Sequence, residues 1–219
     1  MVLDTISPQY NTVQSWGSDI LKVGSGLGLG APAFWSDGKV IPFSEWDKKT
    51  VEIIASGPLR SIFKTTFKGL KAGVNLLYGR NLADVEQTIE LRAGERYTDV
   101  CLKILKTTHP YIEFCTGIVK NPAAETLQTG FVDGNFFAFT FGKQSTHDDE
   151  LGMGVMIKAD FNPIPIQDPM SHAIRMRMEK NEIRYRYLAT WAMESDGVKT
   201  PEKFEKIIFD AMRHNDTRF

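Results

Sequence analysis

Short apolar runs with β-branched or aromatic residues recur along this chain, separated by turn residues. In Ser61-Ile62-Phe63-Lys64-Thr65-Thr66-Phe67 such residues dominate, as a pleated surface prefers. In 85–91 the alternation is clearer, with Val85, Gln87, Ile89 and Leu91 on one face and Glu86, Thr88 and Glu90 on the other. That period of two reads as a half-buried antiparallel strand. Asp37-Gly38 and Asp133-Gly134 each sit between two such runs, and Asp-Gly supports the positive φ values of a tight hairpin. Further strands are expected at 33–35, 40–41, 51–55, 97–105, 113–119, 126–131, 135–141, 152–159, 173–178 and 182–191. Strands recurring this often argue for a sandwich or barrel. One helix is expected after Thr200, which caps it. Pro201 takes the first helical position, and Phe204, Ile207, Ile208, Ala211 and Met212 follow helical spacing. A second, short helix over 18–23 is a weaker expectation, and 162–169, with three prolines, reads as a loop.

Composition narrows the class. The 219 residues are 42% hydrophobic and 24% charged, which is globular. Folding should bury roughly 25,000 Å², about 70% of the extended chain's surface, enough for a core without staples. With 26 basic and 27 acidic residues the net charge is -1, so the basic excess of a nucleic-acid binder is missing. No apolar run approaches the roughly 18 residues of a membrane helix. The start, MVLDTISPQY, is not a signal peptide. Cys101 and Cys115 lie in apolar segments and read as buried free thiols.

Several groups carry candidate chemistry. His147-Asp148-Asp149-Glu150 is the densest polar cluster, placed just before an apolar strand. There His147 reads as a proton donor or acceptor held by Asp149 or Asp148, against the plainer reading of a solvated turn. The carboxylates also invite Ca²⁺, but no Asp-x-Asp-x-Asp loop supports it, so no metal is assigned. Trp16, Asp19 and Lys22 are three apart and would share a helical face, joining an aromatic platform to a carboxylate and a cation. Sugar sites use that combination; a core Trp with a structural ion pair is the alternative. His109 and Lys120 stand at strand breaks, as turn residues or rim contacts, and His172 reads as a surface residue. Arg175 and Arg177, like Arg184 and Arg186, alternate along strands, giving either a cationic face for acidic sugars or a solvated outer face. Gly24-Ser25-Gly26-Leu27-Gly28-Leu29-Gly30 fits neither phosphate-loop spacing and reads as backbone packed closely. Serine-hydrolase elbow, zinc-protease and paired-cysteine patterns are missing, and no cofactor is expected.

The block Trp16-Gly17-Ser18-Asp19-Ile20-Leu21-Lys22-Val23-Gly24, followed by Leu27-Gly28-Leu29-Gly30, resembles the domain-of-unknown-function family four-eight-six-one. Weaker marks are Gly57-Pro58-Leu59-Arg60, Thr116-Gly117-Ile118-Val119-Lys120, Asp149-Glu150-Leu151-Gly152 and the late strand Tyr187 to Trp191 followed by a helix. The resemblance implies an antiparallel β-sandwich of the galactose-mutarotase-like (supersandwich) kind with one C-terminal helix. It implies work on plant or algal carbohydrate bearing uronates, since genes of the family often sit in polysaccharide-utilisation clusters. It also implies that residues 1–219 form one domain, the C-terminal part of a longer family architecture, in a periplasmic or secreted protein. The absent signal peptide leaves a cytoplasmic location open. Many relatives have a His after the Tyr that precedes the Trp block, where this chain has Gln9-Tyr10-Asn11-Thr12.

The leading expectation is lyase-like or hydrolase-like cleavage of an acidic oligosaccharide. Lys22 or Arg186 would neutralise a uronate carboxylate; Tyr10 or His147 would exchange the proton, with Asp149 orienting it. A non-catalytic carbohydrate-binding module using Trp16, and a sugar epimerase or mutarotase, are the alternatives.

Overall fold

The computed structural model describes residues 11–15, 17–75, 79–108, 112–124, 126–177 and 181–213. Two antiparallel sheets make up a β-sandwich, as the strand spacing predicts. The strands of the larger, eight-stranded sheet are β3 (Lys48–Ser56), β4 (Arg60–Asn75), β5 (Gly79–Arg92), β6 (Tyr97–Thr107), β8 (Gln128–Val132), β9 (Asn135–Gly142), β10 (Leu151–Lys158) and β13 (Glu182–Trp191). Their spatial order is β3-β4-β5-β6-β13-β10-β9-β8. The smaller sheet holds β1 (Ala33–Ser36), β2 (Lys39–Pro42), β7 (Glu113–Val119), β11 (Ile164–Ile166) and β12 (Ser171–Met176), ordered β11-β12-β7-β1-β2. At both Asp-Gly turns the two residues take positive φ: Asp37 50° and Gly38 75°, Asp133 49° and Gly134 76°. That is the backbone twist that lets a two-residue turn close a hairpin.

The main core lies between the sheets. Phe34, Phe114, Ile118, Ile174 and Met176 from the smaller sheet meet Val85, Val100, Leu102, Met153, Val155 and Tyr185 from the larger. The Gly24–Gly30 stretch crosses the smaller sheet as close-packed backbone. Gly30 N–H donates to the Gly117 carbonyl at 2.9 Å, and the Tyr185 hydroxyl donates to the Gly30 carbonyl at 2.7 Å. With φ +71°, Gly30 leaves no room for a side chain: a Cβ would meet the Tyr187 ring at 2.3 Å.

A second apolar layer forms on the outer face of the larger sheet. There the helix α1 (Pro201–Arg213) lays Phe204, Ile208, Ala211 and Met212 over Phe137, Phe139, Phe141 and Leu188. Gly152 and Gly154 on β10 make the room, since a Cβ at Gly152 would meet the Phe204 ring at 2.6 Å. Thr200 caps the helix, its hydroxyl accepting from Lys203 N–H at 3.3 Å. Among the described residues α1 is the only α-helix. Among the described residues no helix is long and apolar enough to cross a membrane.

Three expectations change. Residues 18–23 are irregular rather than helical, so the shared helical face of Asp19 and Lys22 does not form. The proline-rich loop contributes a three-residue edge strand, β11, around Pro165. His172, read as a surface residue, is half-buried, and burial, with help from the Lys120 charge, pushes its pKa below the usual histidine value. Both cysteines are free, Cys115 buried and Cys101 half-buried.

Candidate functional site

The loop between β9 and β10, residues 143–150, is built from its buried base upward. Gln144 is buried and donates through Nε2 to the Leu151 carbonyl at 2.6 Å, while Asn121 Nδ2 donates to the Gln144 carbonyl at 3.0 Å. Those two bonds tie the loop to its own strand and to the Lys120 turn of the other sheet. Ser145 Oγ then accepts from His147 N–H at 3.0 Å and donates to the Asp149 carboxylate. Asp148 takes φ 58°, a left-handed position that Asp tolerates better than most residues, and reverses the loop.

The Ser18–Leu21 segment docks against this loop. Thr146 N–H donates to the Ile20 carbonyl at 2.9 Å, and Thr146 Oγ1 to the Asp19 carbonyl at 3.1 Å. Ser18 Oγ lies 2.9 Å from His147 Nε2. The second wall is the end of β13. Trp191 Nε1 donates to Asp149 Oδ1 at 2.8 Å, and the Trp191 ring lies 6.1 Å from the His147 ring, centroid to centroid, tilted by 31°. His147 is thus half-buried between a serine and an indole, at the end of the sandwich where β7, β9 and β13 finish.

Asp19, His147 and Asp149 meet at this end. Lys22, exposed, continues the Ser18–Leu21 segment, and Asn121 brings the Lys120 turn alongside. The expected holder of His147 is corrected. Asp149 is engaged by Ser145 and Trp191, and the ring's hydrogen bond runs to Ser18 instead. The cluster is therefore no Ser-His-Asp triad, since Asp149 steadies the loop and not the imidazole. Lys120 is also tied, its Nζ donating to the Asp168 carbonyl at 2.5 Å, which straps the proline-rich loop to β7. Tyr10, Trp16 and His109 lie outside the described residues.

Arg186 is elsewhere, and its reading is corrected. Its side chain is 0% exposed, beneath α1. Nε pairs with Asp99 Oδ1 at 2.5 Å, one terminal nitrogen donates to the Ala211 carbonyl at 2.7 Å, and the guanidinium lies 4.1 Å from the Tyr97 ring centroid. It holds the last turn of α1 to the sheet, where carbonyls otherwise lack partners. Two other arginines of the alternating strands are likewise engaged: Arg175 pairs with Glu113 at 3.3 Å and Arg184 with Glu182 at 2.7 Å, while Arg177 is exposed.

Sequence reading passed over Ser18, Ser145 and Trp191 as site residues. Ser18 stood inside the Trp-Gly-Ser-Asp block, and Ser145-Thr146 precedes His147 directly, a pattern of local side-chain-to-backbone bonding. It also passed over a groove of about 190 Å³ on the outer face of the larger sheet, away from His147, lined by Thr88, Glu90, Arg92, Asp99, Cys101 and Arg184. In it Arg92 pairs with Glu90 at 2.9 Å. Burial pushes the Cys101 thiol up to about 12, with Glu182 adding to the rise. Among the described residues no cluster of three or more His, Cys, Asp or Glu is arranged to hold a metal ion.

No match emerges among curated proteins or among solved structures. With residues 3–215 matched, the chain belongs to the family described as Domain of unknown function (DUF4861).

Proposed function

We propose that the chain acts on acidic, uronate-bearing oligosaccharides at the end of the sandwich built by Ser18, His147, Asp149 and Trp191. The observation that carries this reading is the 2.9 Å approach of Ser18 Oγ to His147 Nε2. It joins the most specific block of the sequence to its densest titratable loop, across 129 positions of chain. A half-buried imidazole held by a hydroxyl at a rim is a competent proton-exchange group. Lys22 supplies the exposed cation for the uronate carboxylate, a role that Arg186 cannot share from beneath α1.

In the lyase form, His147 takes the proton α to the carboxylate. The electron pair forms a carbon–carbon double bond, the bond to the leaving oxygen breaks, and that oxygen is protonated. In the hydrolase form, His147 protonates the glycosidic oxygen, the bond from that oxygen to the sugar carbon breaks, and water adds to the carbon and returns a proton to His147. Asp149 acts as a positioning residue through Trp191 and Ser145. A screen of pectic, alginate and ulvan oligosaccharides, followed at the unsaturated-uronate absorbance and by reducing ends, tests the reading. New product from one acidic class is expected; neither turnover nor binding of any acidic oligosaccharide would overturn it.

The groove on the larger sheet favours a second reading, binding without cleavage. Its carboxylates and guanidiniums present acceptors and donors to hydroxyl-rich ligands. Affinity that Arg184→Ala removes and His147→Gln leaves intact would select it.

A further inference from the structure

Among the described residues the two sheets end in four unpaired edge strands, and three of them are blunted. β2 has four residues and ends in Pro42; β11 has three, with Pro165 at its centre; β8 has five. Short strands and prolines are the usual protection of an edge. β3 is different. It runs nine residues without proline, and all but Ala55 are exposed. On the face it shares with Val100 and Leu102, Val51 is 60% exposed and Ile53 76%. Leu91, on the same face of β5, continues the patch, and Leu59 in the adjoining turn is 79% exposed. Large apolar side chains contiguous with an open strand edge mark an association surface.

We propose that β3 pairs antiparallel with β3 of a second copy of this chain, running the two large sheets into one. Charge pattern and apolar cover together select the occupant and the register. A twofold axis perpendicular to the sheet sets residues of the same face opposite one another. The bulge after Ile53 confines pairing to residues 48–53. Centred on Lys49 or Glu52, the axis would oppose like charges, which destabilises a pair. Centred on Thr50, it sets Lys48 against Glu52 but leaves Ile53, the most exposed apolar residue of the strand, against Asp47. Centred on Val51, it sets Val51 against Val51 of the second copy, Ile53 against the stem of Lys49, and Thr50 against Glu52. Lys48 then lies diagonal to Glu52 of the other chain, within reach of a long side chain. This register opposes no like charges and covers Val51 and Ile53, and it owes nothing to the carbohydrate reading.

Sedimentation and light scattering of the whole chain over about 1 µM to about 1 mM, the range in which weak interfaces dissociate, test it. A species of twice the 24.7 kDa chain mass is expected. Val51→Lys and Ile53→Lys should each weaken it about tenfold or more while leaving the melting temperature of the dissociated chain in place, because both side chains already face solvent. Val51→Cys should form a dimer cross-link under mild oxidation, reporting the register. A wild-type chain of single mass throughout would overturn the proposal, whatever other partner the strand meets. So would a dimer that Val51→Lys and Ile53→Lys leave intact.

Discussion

The two halves of the large sheet share one hydrogen-bonded framework and differ in what covers them. Across β13, β10 and β9 both faces are buried, by the smaller sheet on one side and by α1 on the other. Across β3, β4 and β5 the outer face is a lattice of ion pairs, with Lys64 between Glu52 and Glu86, and Arg92 beside Glu90. The inner face there runs out of cover, from Val85 at 0% exposed to Leu91 at 43%. Strand propensity is similar in both halves. Glycines at 152 and 154 make the difference on the outer face, because they admit the helix where Lys64, Glu86 and Glu90 would not.

The contrast is sharpened most by removing side chains from each half. Phe204→Ala should cost about 3–5 kcal/mol in denaturant unfolding, the range for a fully buried aromatic. Ile53→Ala, on the open half, should stay within about 0.5 kcal/mol of the wild type when the chains are compared as monomers. Arginines make a similar pair. Arg186→Ala leaves Asp99 with only its longer contact to Arg92 at 3.9 Å and uncovers the Ala211 carbonyl, with about 3–5 kcal/mol lost. Arg184→Ala breaks a partly exposed pair and should cost under about 1 kcal/mol. Similar losses at Arg186 and Arg184 would break the account of α1 as a cover pinned from below.

A smaller effect is expected at Gly152→Ala, about 1–3 kcal/mol from overpacking against Phe204. Ala at Gly57, where the nearest atom lies 3.9 Å from a built Cβ, serves as the control and should be near neutral. Thiol chemistry gives the smallest signal. Burial raises both cysteine pKa values above an ordinary thiol near 9. Folding therefore favours the protonated thiols. Their contribution is whole below pH 9 and falls as pH rises toward the folded value of about 12 for Cys101. Thiol-reactive dye at pH 8 should label Cys101 slowly and Cys115 only after unfolding; equal rates in the folded state would contradict the burial difference.

Local chemistry made most of the fold legible. The expected bounds 113–119 and 182–191 coincide with β7 and β13, because both segments are dense in apolar and β-branched residues and end in turns. The helix start follows from Thr200-Pro201. What failed needed knowledge of distant chain. Arg184 and Arg186 share a face by alternation, but whether solvent or a helix covers it depends on α1, far along the sequence. Residues 18–23 have helical spacing, yet their backbone carbonyls at Asp19 and Ile20 accept from Thr146. His147 stands among three carboxylates in sequence and meets Ser18 in space, a pairing no window of neighbouring residues contains.

The central claim is that His147, held at Ser18, exchanges the proton. It is tested most directly by the pH profile of kcat/KM for wild type, His147→Gln and Ser18→Ala on the acidic oligosaccharide that the screen identifies. The account predicts a loss of about 10² to 10⁴ for His147→Gln, with the limb of the profile due to imidazole abolished. Ser18→Ala should lose less and keep that limb. A His147→Gln chain within about threefold of wild type and with an unchanged profile, against an expected general acid–base factor far larger than that, would contradict it.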